Sequence, residues 1–69
     1  MKDLAKRNKV ALTITSELVQ LDISPKCEAY SMIYDQCIEA WDVLTLKEIK
    51  AMVQEWADYL PNQYFQEIK

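Results

Sequence analysis

The sequence predicts an all-α domain, a small three-helix bundle with a short C-terminal helical turn. Three observations carry this expectation. Apolar residues recur at steps of three and four along most of the 69 residues, the spacing of one helix face. Glycine is absent, and tight β-hairpins depend on residues that take positive φ at little cost. The two prolines, Pro25 and Pro61, stand where a helix should start and where one should stop.

The first helix is expected over residues 2–21, with Leu4, Ala11, Ile14, Leu18 and Leu21 on one face. Val10, Leu12 and Ile14 also alternate with Ala11, Thr13 and Thr15, the period of a strand, and β-branched residues crowd this stretch. A lone strand needs a partner strand, and the chain offers no second one, so helix is the expectation for residues 9–15.

The second helix is expected over residues 25–44, with Ser24 as N-cap and Pro25 in the first helical position. Cys27, Tyr30, Tyr34, Cys37, Trp41 and Leu44 form an a/d seam, which Ile33 and Ile38 widen. Glu28, Asp35, Glu39 and Asp42 make an acidic stripe on the other side. The third helix is expected over residues 46–60. Thr45 and Glu48 have the capping-box spacing, and Leu44 and Ile49 that of a hydrophobic staple. Leu46, Ile49, Val53, Trp56 and Leu60 give its face, extended by Met52 and Tyr59. Pro61 ends it, because proline cannot continue the backbone ladder. A turn over residues 63–68 brings Tyr64, Phe65 and Ile68 back to the bundle.

Residues 1–69 make a single domain with a marginal core, since a chain this short buries only about 60% of the surface it exposes when unfolded. Small domains compensate with disulfides, a metal, tight helix packing or a partner chain. Cys27 and Cys37, ten residues apart on one helix, lie about 15 Å apart along its axis, too far for a bond to each other. They are expected to be small buried apolar residues. Histidine is absent, no CxxC pair is present, and no calcium-loop pattern is found. No metal and no cofactor are expected. Helix packing and self-association remain, and 51% apolar composition with two Trp and four Tyr favours both. A homodimer sharing part of the apolar seams is expected.

No apolar run approaches the roughly 18 residues of a membrane span, and no secretory signal opens the chain; a cytoplasmic location and no membrane contact are expected. Charge is unevenly spread. Lys2, Lys6, Arg7 and Lys9 are half of the basic residues, while the net charge is −3. The chain is a basic arm on an acidic body.

Catalysis is not expected. Nucleophilic mechanisms usually recruit histidine as base. Asp35, Glu39 and Asp42 are neighbours in pairs, but on a solvated face no pocket separates their acidities. The expected function is instead that of a non-enzymatic regulator, adaptor or inhibitor that binds another protein through apolar helix faces. Compact, acidic, motif-free helical chains of this type suggest accessory proteins of phages or other mobile elements. Trp41 and Trp56 lead the candidate contacts, because Trp and Tyr are enriched at interface hot spots. Tyr34, Tyr30 and Met32 join them, with Glu39 and Asp42 as charged contacts for a basic partner. The alternative is a dimeric nucleic-acid-associated transcription regulator contacting phosphates through Lys6, Arg7 and Lys9. A paired ribbon at residues 9–15 would resemble a ribbon-helix-helix protein. The stretch to Ser24 is too short for that family's first helix, and its glycine turn is missing.

Overall fold

The computed structural model describes residues 3–67. They form three helices, α1 (Leu4–Gln20), α2 (Glu28–Ile38) and α3 (Leu46–Tyr59), and a 3₁₀ turn at Asn62–Phe65. The expected all-α three-helix architecture holds, and residues 9–15 are helical. Lys2 and Ile68, expected at the start of the first helix and in the last turn, lie outside the described residues. Among those described, no helix is long and apolar enough to cross a membrane.

α1 starts where Asp3 caps it, its carboxylate accepting from the backbone N–H of Ala5 and Lys6 at 3.1 and 3.2 Å. The β-branched threonines fit because their hydroxyls bond back along the helix, Thr13 to the Lys9 carbonyl at 2.8 Å and Thr15 to that of Ala11 at 3.2 Å. The helix ends in a Schellman motif. Asp22 takes the left-handed conformation (φ 61°), and the Ile23 N–H returns to the Leu18 carbonyl at 3.0 Å. Aspartate tolerates this geometry better than most residues and takes the place glycine usually fills.

The buried face of α1 is Val10, Ile14, Glu17 and Leu18. This corrects the expected face, because Leu4 and Leu21 are exposed. The partner helices are shorter, 11 and 14 residues against 17, and the buried residues of α1 begin only at Val10.

α2 is much shorter than expected. Ser24 and Pro25 do not open it. They belong to a preceding turn in which Ser24 Oγ accepts from the Lys26 N–H and the Ser24 carbonyl accepts from the Cys27 N–H at 3.1 Å. Cys27 is extended, at φ −95° and ψ 155°, and bridges antiparallel to Glu67. That pairing holds the chain out of helical geometry until Glu28. At the other end, tighter i to i+3 bonds join Ala40 to Cys37 and Trp41 to Ile38. Residues 39–43 are therefore turns, and the turns carry the Trp41 ring into the core.

α3 matches its cap signals, but Leu46 and Tyr59 of its expected face are exposed. The Thr45 hydroxyl accepts from the Glu48 N–H at 3.2 Å, and Glu48 accepts from the Thr45 N–H at 3.0 Å. Leu60 is extended ahead of Pro61 and closes the helix. The core joins Val10, Ile14 and Leu18 of α1, Ala29, Ile33 and Cys37 of α2, and Ile49 and Val53 of α3, with Ile23, Cys27, Trp41 and Leu60 from the connections. Burying each large aliphatic side chain contributes about 1.5–3 kcal/mol. Tyr64 and Phe65 fold back against the core as expected. Both cysteines are free and buried, as small apolar fillers should be. Burial in apolar surroundings pushes the Cys37 thiol up to about 11.

Candidate functional site

A shallow groove of ≈ 780 Å³ runs along α3. Leu44, Ala51, Met52, Trp56 and Tyr59 supply its apolar wall, with Glu48 and Glu55 beside them. The groove follows from the pattern of α3. Ile49 and Val53 are the fully buried residues of α3, and its apolar face continues sideways through Met52, Trp56 and Tyr59. Ala51 is short, and it leaves a hollow between longer neighbours. Trp56 and Tyr59 meet edge to face with ring centres 5.6 Å apart, an arrangement that holds both rings in place. Trp56 is half-buried and packs against the core, while Tyr59 is 77% exposed.

Both charged residues that line the groove are acidic, and Lys6 of α1 lies near one of them, Glu48. The Thr45 backbone and side-chain hydrogen bonds hold the Glu48 carboxyl below its ordinary value, with the nearby Lys6 adding to this. Glu48 is thus an anion at neutral pH. Glu55 lies two turns further along the same wall, and no basic side chain lines the groove.

A smaller cleft of ≈ 240 Å³ lies between α1 and α3, lined by Leu12, Thr13, Ser16, Glu17, Gln20 and Lys50. Glu17 is buried at 4% exposure, and Gln54 Nε2 donates to its carboxylate. A buried carboxylate is tolerable only with such a partner. Among the described residues, no three His, Cys, Asp or Glu side chains come together as a metal site.

The residues expected to contact a partner are scattered. Trp56 lines the groove. Trp41 does not; it is 9% exposed and belongs to the core, so its expected role as a leading contact is corrected. The turns after α2 point it inward. Tyr30, Met32 and Tyr34 are half-buried and packed against the core, away from the groove. Glu39 and Asp42 are exposed, but they sit in the turns beyond α2 rather than on a continuous helical stripe. Lys6 is half-buried, and Arg7 and Lys9 are exposed, all within the first turns of α1. The expected basic arm is, from Leu4 on, ordered helix. Lys6 and Lys9 share a side of it, whereas Arg7, adjacent to Lys6, points elsewhere.

No protein family, no curated protein and no solved structure matches this chain. The functional reading therefore rests on the site. Sequence reasoning missed the groove as a unit and missed Glu17 as a buried acid. The signal for the first was an apolar face on α3 wider than a small core can cover. The signal for the second was an acid three residues after Ile14 and next to Leu18, inside the apolar face.

Proposed function

We propose that this protein is a non-enzymatic regulator, adaptor or inhibitor that binds another protein through the outer face of α3. The observation that carries the reading is the groove itself. Small domains seldom leave tryptophan, tyrosine and methionine together along one open hollow, and such patches mark interaction surfaces. Aromatic and methionine side chains are also the residue types enriched where interfaces form. Self-association belongs to the same reading. Leu4, Leu12 and Val19, each 68% exposed, share the outer side of α1, and two copies can cover this stripe by antiparallel pairing about Leu12.

The test is capture of partners from a lysate of the native host, with and without nuclease, by the wild-type protein and by Ala51→Arg. Ala51 is exposed and lines the hollow, so arginine blocks the groove without disturbing the core. The expected result is one protein retained near stoichiometry despite nuclease and lost with Ala51→Arg. A bound set that disappears with nuclease and is indifferent to Ala51→Arg would contradict the reading and move the function to Lys6, Arg7 and Lys9. Sedimentation of the wild type and Leu12→Glu tests the dimer; equal monomer mass for both at all concentrations excludes it.

A further inference from the structure

Resting on the reading of α3 as a docking surface, we infer that the groove takes a basic amphipathic helix, with apolar side chains in the hollow over Ala51 and Lys or Arg beside Glu48 and Glu55. Three features point to this occupant. The groove runs beside α3 from Leu44 to Tyr59, so it follows a helix of 14 residues, about 21 Å long. A second helix laid alongside presents anchors at the same three- and four-residue steps and matches that length. An extended segment is less well served, because the only strand-like pairing among the described residues is the single Cys27–Glu67 bridge, and no strand edge borders the groove. The charge sets the sign of the partner. Both charged residues in the wall are carboxylates, one on each side of Ala51, and complementary charge gives orientation and speed to an encounter. The protein carries a net charge of −3, which adds long-range attraction for a basic segment.

The experiment uses the full chain labelled with ¹⁵N. Its two indole N–H signals, from Trp56 and Trp41, report the groove and the core separately. Two synthetic amphipathic helices of equal length and identical leucine spacing serve as probes, one with lysine on its polar face and one with glutamate. The expected result is that the leucine–lysine helix moves the Trp56 signal and leaves that of Trp41, while the leucine–glutamate helix moves neither. Raised salt should weaken the effect. Glu48→Gln with Glu55→Gln should reduce affinity about 2- to 30-fold, the range of two exposed ion pairs. Glutamine keeps the capping box, so the fold survives this change. Ala51→Arg should remove the response.

Equal response to both helices would overturn the choice of a basic partner and leave the groove as a docking surface. A Trp56 signal indifferent to both helices, or a response that survives Ala51→Arg, would overturn the groove as well. A Trp56 signal that moves with protein concentration alone would make the occupant a second copy, and the inference would fall.

Discussion

The turn after α2 and the outer face of α3 each carry one tryptophan, and the two meet solvent differently. Trp41 is 9% exposed and joined to the core residues of all three helices. Trp56 is half-buried, edge-on to the exposed Tyr59, in the wall of an open groove. Both residues stand on apolar seams at helical spacing, so periodicity alone treats them alike. What separates them is backbone geometry. Tight turns rotate Trp41 inward once α2 has ended, whereas α3 runs on as regular helix and turns Trp56 to the side. An aromatic residue's place in the pattern therefore identifies an apolar face without saying what covers it.

The sharpest way to break this contrast is Trp41→Ala. Truncating a buried tryptophan costs about 3–5 kcal/mol, a large part of the 5–15 kcal/mol typical of a whole domain. Urea unfolding should show an unfolding free energy lowered by that amount, with an earlier midpoint, or a chain no longer folded. Trp56→Ala should cost clearly less. Comparable losses from the two would erase the distinction.

The helix ends show how much was legible beforehand. Those of α3 were readable because the Thr45–Glu48 box and Pro61 act through neighbouring residues. Those of α2 were not. Ser24 and Pro25 are a sound helix-start signal, but a turn uses the same residue types, and the pairing that decides between them joins Cys27 to Glu67 across the chain. The groove was only partly legible: Met52, Trp56 and Tyr59 were visible as one face, but the width of the core that would cover them depends on how α1 and α2 pack. The basic residues of α1 were visible as charge and not as geometry.

The inner side of α3 gives the next prediction. Gln54→Leu removes the donor to the buried Glu17 carboxylate and should destabilise by about 1–3 kcal/mol, the cost of an unsatisfied buried group. Because Gln54 lies outside the groove wall, the Trp56 signal should hardly change. A large change there would mean that the two sides of α3 are coupled.

Thr45→Ala should have a smaller effect, about 1 kcal/mol, typical of a lost N-cap. The same cap predicts a pH dependence. The Glu48 carboxyl is held below its ordinary value, so the folded state favours the anion. Its contribution is full above about 4.5 and is lost as pH falls below that value through the lowered one. Denaturation of wild type and Glu48→Gln across the acid range should show the difference narrowing as pH drops. A constant difference would mean that Glu48 does not act through its charge.

The most direct test of the contrast on which the docking reading depends is quenching of tryptophan fluorescence by acrylamide in two single-tryptophan variants, Trp41→Phe and Trp56→Phe. Trp56, observed alone in Trp41→Phe, should emit further to the red and be quenched severalfold more strongly than Trp41, observed alone in Trp56→Phe. Equal quenching, or a more accessible Trp41, would contradict the placement of the two residues and remove the basis for docking on α3.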